Sequence, residues 1–133
     1  MINPSLLLRR ALQLDTIASG AMAVLLTFGA GTLASFLNLP ETFLRSTGVF
    51  LIAWTALVGF LATRETLSKA IVWAVIVGNA VWTIDSLALL ITSWIAPNTL
   101  GIAFIVMQAV AVGLFAELQY MGLRKSEGAI AAR

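Results

Sequence analysis

A chain of 133 residues that is 60% hydrophobic and only 11% charged lacks the polar surface of a water-soluble domain, which is usually about 45–50% apolar and about 25% charged. The mean hydropathy of +0.99 points to lipid as the solvent, and a net charge of only +2 leaves no continuous basic patch for nucleic acid. The absence of Cys and His excludes disulfides, thiol nucleophiles, Cys/His zinc sites and His-ligated haem. No cofactor, no metal and no enzymatic activity is expected.

Four apolar runs are long enough to cross about 30 Å of hydrocarbon. They cover about 15–39, 40–62, 70–95 and 100–120. Lipid offers the backbone no hydrogen-bond partners, so each run must be helical. The strict alternation of barrel strands is missing. The expected fold is an all-α bundle of four transmembrane helices forming a single membrane domain over 1–125, with a flexible cytoplasmic tail at 126–133. A cleaved signal peptide is the competing reading of the first run, but the run is long and Asp15 interrupts its start.

Taken in chain order, Asn3 and Pro4 suit a helix start lying in the interface before the chain turns inward. A short turn at Asn38 precedes Pro40 and Glu41, which open the second span. Arg64 to Lys69 is a polar loop in which Thr66 or Ser68 can cap the third. Pro97 is expected to stop the third span, with Asn98 or Thr99 starting the fourth.

Seven of the eight Lys and Arg residues fall at one membrane face, and Arg45 stands alone at the other. The positive-inside rule then puts both termini in the cytoplasm. The fragment Val58-Gly59-Phe60-Leu61-Ala62 recurs loosely as Val112-Gly113-Leu114-Phe115-Ala116. Two parallel-repeat hairpins would explain the match; so would chance in a chain rich in Ala, Val, Leu and Gly.

Small residues at helical spacing mark expected packing seams: Ala70, Ala74 and Gly78 on the third span, Ala109 and Gly113 on the fourth. Asp85 continues the first of these faces and lies about 24 Å along the helix from Lys69. A carboxylate there must be paired or neutralised. Three readings remain open: a structural Asp85–Arg45 clamp, an Arg45–Glu41 pair that leaves Asp85 protonated, and a proton- or cation-carrying site at Asp85.

Asp15 and Glu117 are expected at similar shallow depth on the cytoplasmic side, either facing each other or each paired with a snorkelling arginine. Asn79 and Gln108 fall near the midplane, where they either bond across an interface or line a polar cavity with Asp85. Trp54 and Trp82 are also deep and are candidates for the wall of a flat, greasy ligand site.

The opening Leu14-Asp15, the run Trp73-Ala74-Val75-Ile76-Val77-Gly78-Asn79-Ala80-Val81-Trp82 and the closing Ala116-Glu117-Leu118-Gln119-Tyr120-Met121-Gly122-Leu123-Arg124 resemble a group of short four-span proteins of bacterial inner membranes. That resemblance implies a multi-pass inner-membrane location and carries no activity. The length and helix number are also similar to small multidrug exporters, but those carry an acid deep in the first helix, and Asp15 is expected here at the membrane edge.

The functional expectation is a non-enzymatic accessory, scaffold or lipid-facing binding protein, surrounded by membrane lipids and assembled as a homo-oligomer. An oligomeric channel or ion-coupled carrier using Asp85 is the alternative. A binder of a lipid, quinone or pigment between the hairpins is the second alternative, with such a lipophilic small molecule as its partner.

Overall fold

A computed structural model describes residues 1–131, with side chains through Gly128. It is all-helical: α1 (Leu6–Phe28), α2 (Ala30–Leu37), α3 (Glu41–Ala62), α4 (Lys69–Leu89) and α5 (Thr99–Ala131). Four of these, all but the short α2, are long and apolar enough to cross a membrane. The four-helix bundle expected from the sequence is the observed architecture.

Several boundaries differ from the expected ones for identifiable reasons. The first span is one helix from Leu6, with no separate interfacial piece, and Ser5 caps it instead of Asn3: its hydroxyl accepts the Leu8 N–H at 3.1 Å. The span then breaks at Gly29, and α2 ends at Asn38, which takes the left-handed conformation (φ 55°, ψ 50°) that Asn tolerates better than most residues. The third span stops at Leu89, well before Pro97. There the backbone tightens into i→i+3 bonds, and the Thr92 hydroxyl takes the Leu89 carbonyl at 3.0 Å. In the last span the helix continues through the expected tail as far as Ala131. Residues 132 and 133, and with them Arg133, lie outside the described residues.

The start of that extension is tied to the bundle. Ser126 is buried, and its hydroxyl accepts the Ser5 N–H at 2.8 Å while Ser5 donates to the Gly122 carbonyl at 2.9 Å. Lys69 pairs with Glu127 at 3.0 Å. At the same end Ile2 and Leu67 exchange backbone bonds as an isolated antiparallel bridge. Arg9 donates to the carbonyls of Ala62 and Arg64 at 2.7 and 2.8 Å, satisfying acceptors at the end of α3 that would otherwise be orphaned. At the distal end the turn at 38–40 and the segment before α5 are tied by two asparagines. Asn38 donates to the Ala96 carbonyl at 2.6 Å, and Asn98 donates to the Phe36 carbonyl at 2.7 Å while its own side-chain oxygen caps α5 at Gly101.

Helix contacts run in the order α3, α1, α5, α4: α1 packs on α3, α5 on α1, and α4 on α5. The seams are built from glycines facing threonines, the small-residue packing by which membrane helices approach closely. On α1–α3, Gly59 faces Thr16, Gly20 faces Thr55 and Gly48 faces Thr27. On α4–α5, Gly113 faces Thr83 and buried Ala109 offers its carbonyl to the same hydroxyl at 3.3 Å. Gly122 of α5 lies against the backbone of Leu8 on α1. Ala109 and Gly113 therefore form the seam expected of them, whereas Ala70 and Ala74 are exposed and Gly78 receives only the tip of Trp54.

No comparable seam joins α3 to α4. Near the basic end their side chains meet in a shared apolar cluster containing Val58, Leu61, Val72 and Val75; the loop at 63–68 between them is too short to permit otherwise. Further along, the two helices stand apart. A twofold relation between the hairpins would pair the α1–α5 seam with an equal α3–α4 seam, and only the first is present. Gly59 and Gly113 each face a threonine of the preceding long helix.

Candidate functional site

The gap between α3 and α4 is an open cavity of about 850 Å³, within the size range of small-molecule sites. Its back wall comes from α1 and α5, through residues such as Met22, Leu26, Ile105 and Phe115. One side is Phe50, Leu51 and Trp54 of α3; the other is Gly78, Trp82 and Asp85 of α4. Nearly all of this surface is hydrocarbon or aromatic.

Three rings cross the gap as a ladder. Phe50 stacks on Trp82 with centroids 6.0 Å apart and planes 10° from parallel, and on Trp54 at 6.5 Å and 22°. The far edge of the Trp54 ring rests on Gly78, where a Cβ would lie only 2.6 Å from it. Trp82 is fixed from behind: its indole N–H donates to the Gln108 side-chain oxygen at 2.7 Å, and the Gln108 amide donates to the Ile105 carbonyl at 2.8 Å. Gln108 thus orients a wall residue instead of bonding to Asn79.

The floor is polar. Asp15 is 1% exposed, and every partner of its carboxylate is a donor: the Ser19 hydroxyl at 2.9 Å, the Asn79 amide at 2.8 Å and the Gln119 amide at 2.8 Å. The Asn79 amide also donates to the Gln119 oxygen at 2.9 Å. Asn79 and Gln119 are as deeply buried as Asp15, and Ser19 and Asn79 reach the cavity surface. Helices α1, α4 and α5 thereby meet at one carboxyl group, whose oxygens are hydrogen-bonded as a polar group buried in lipid requires.

This arrangement corrects the expectations for Asp15. It does not face Glu117, which is exposed on α5, nor does an arginine pair it: Arg9 is engaged at the end of α3, and Arg10 contacts Gln13 at 3.4 Å. The residue on α5 that meets Asp15 is Gln119, two positions on. In the sequence Gln119 stood out only as a member of the closing run from Ala116 to Arg124. The available signal was its helical spacing, three residues after Ala116 and four before Leu123, both buried. Asp15 stands nine residues into α1 and is buried inside the bundle, not on its rim.

The Asp85–Arg45 clamp is also absent. Arg45 pairs with Glu41 one turn away, at 2.8 Å on an exposed face. Asp85 is exposed, lines the cavity and has no ion-pair partner among the described residues. It lies about 9 Å further along α4 than Asn79, so the cavity has a satisfied polar floor and a free carboxylate near its distal mouth. Of the residues singled out from the sequence, the cavity gathers Trp54, Trp82, Asn79, Gln108 and Asp85; it leaves out Arg45 and Glu117, and Asp15 lies behind Ser19 and Asn79 without lining it.

Comparison with known proteins finds no matching family model, curated protein or solved structure.

Proposed function

We propose that this membrane protein is a non-enzymatic, lipid-facing binding protein that takes up a lipophilic molecule in the cleft between α3 and α4. The observation that carries this reading is the cleft: an aromatic ladder, a fixed tryptophan and about 850 Å³ of apolar space, on the side of the bundle where two neighbouring helices fail to pack. Three rings bridge the two helices, and the remaining space is still larger than close packing of a bundle leaves.

Native mass spectrometry of the full chain released from gentle detergent tests it. One stoichiometric adduct per protomer is expected, absent from the Ala111→Trp variant, whose new ring would fill the cleft from α5. Equal adducts on both proteins would place the bound mass elsewhere and end this reading.

The free carboxylate of Asp85 supports a second reading, an ion-coupled carrier or channel with its pathway at this cleft or between subunits. Proteoliposomes would then move protons or cations, and Asp85→Asn would abolish the flux. Assembly into homo-oligomers belongs to both readings, supported by the exposed small residues Ala70 and Ala74 at helical spacing on α4. The charge asymmetry supports cytoplasmic termini, and the resemblance of the three runs quoted above supports a bacterial inner-membrane location.

A further inference from the structure

Resting on the reading of the cleft as a ligand site, we infer that its occupant is a lipophilic cation, with the charge against Asp85 and the apolar body along the Trp54–Phe50–Trp82 ladder. Four observations converge on a positive charge. Asp85 is the acid lining the cleft, and Asp15, behind its floor, is already met by three donors. The distal end holds one basic residue, Arg45, and Glu41 occupies it. Asp85 stands four residues before Leu89, the last residue of α4, and the negative end of the helix dipole favours a cation there and disfavours a second negative charge. The adjoining surface is aromatic, and ring faces attract cations most strongly where water is excluded.

The rest of the cleft fixes the character of the ligand. Beyond Asp85 the walls are mostly hydrocarbon and aromatic, with Thr47, Ser86 and Gln108 among them, down to Asn79 and Ser19, so the body of the molecule must be largely apolar and must point inward from the charged group. A zwitterionic phospholipid fits poorly, because its phosphate would lie beside the Asp85 carboxylate while Arg45 is engaged elsewhere. An organic ammonium or phosphonium without a neighbouring anion matches both the charge and the walls.

The test uses two probes of nearly the same shape and opposite charge. The full chain in a neutral maltoside detergent is titrated calorimetrically with tetraphenylphosphonium and with tetraphenylborate. Phosphonium is expected to bind one per protomer, with borate at least about tenfold weaker. Asp85→Asn should weaken phosphonium by about tenfold or more, while Asp85→Glu, which keeps the charge, should retain it. Asp85 makes no hydrogen bond or ion pair among the described residues, so neither variant removes a structural contact.

If borate binds as well as phosphonium, or if Asp85→Asn binds like the parent, the cation assignment fails; loss of binding in Ala111→Trp would show that the cleft itself still stands as a site. If neither probe binds while the native adduct persists and is blocked by Ala111→Trp, the assignment fails in the same way. Absence of both probe binding and adduct removes the ligand site altogether. Displacement of phosphonium by equimolar phosphatidylcholine would make the occupant a zwitterionic lipid and overturn the assignment.

Discussion

The Asn79 amide donates to the Asp15 carboxylate across 2.8 Å, joining α4 to α1 although no backbone seam runs between those two helices. Gln119 completes the junction from α5. The open side of the bundle is therefore braced by a polar knot at its floor, leaving the space above free.

Removing the acceptor should cost more than removing an exposed acid. Asp15→Leu strands two buried amide donors and is expected to destabilise the fold by about 1–3 kcal/mol. Glu117→Gln, on an exposed face, should change stability by no more than about 0.5 kcal/mol. Unfolding in mixed micelles measures both, and equal losses would contradict the geometry.

The tight glycines give a graded series. A methyl at Gly48 would lie 2.6 Å from the Thr27 nitrogen, and one at Gly122 would lie 2.5 Å from the Leu8 Cα; both clash with backbone. Each Gly→Ala change should destabilise by about 1–3 kcal/mol or more. Gly128 meets nothing within 4 Å, so Gly128→Ala should be neutral or stabilise the helix by up to about 1 kcal/mol. Thermal melts of the three variants in one detergent would show whether the ranking holds.

One substitution is expected to help. The hydroxyls of Thr27 and Thr55 are buried without a hydrogen-bond partner. Thr55→Val keeps the shape, including the methyl that faces Gly20, and removes an unsatisfied polar atom. A gain of about 1 kcal/mol is expected. A clear loss would mean that the hydroxyl is satisfied in the membrane.

Gln108 holds the Trp82 ring, so Gln108→Leu should leave the indole N–H unbonded and loosen the ladder. The expected result is a shifted and less anisotropic Trp82 emission, read in a background where Trp54, Trp73 and Trp94 are Phe. Any cleft ligand should bind several-fold more weakly. Unchanged emission would show that packing alone fixes the ring.

The sequence determined by itself that this chain has four apolar helices, where most of them turn, and which deep polar and aromatic residues must matter, because lipid forces each apolar run into a self-satisfied helix. It also marked Ala109 and Gly113 as a seam, Trp54 and Trp82 as a candidate wall, and Asp85, Arg45, Asn79 and Gln108 as a candidate polar group; the wall and all of the polar group but Arg45 line one cavity. Tertiary structure decided the pairings. Arg45 chose Glu41 over Asp85 because a partner one helical turn away on an exposed face requires no approach between α3 and α4. Asp15 was met by Asn79 and Gln119 instead of arginines, because α1 starts at Leu6 and carries Asp15 past the basic rim. The open cleft was invisible in the sequence for the same reason: hydrophobic periodicity reports that a face is apolar, and both lipid and a neighbouring helix accept such a face equally well.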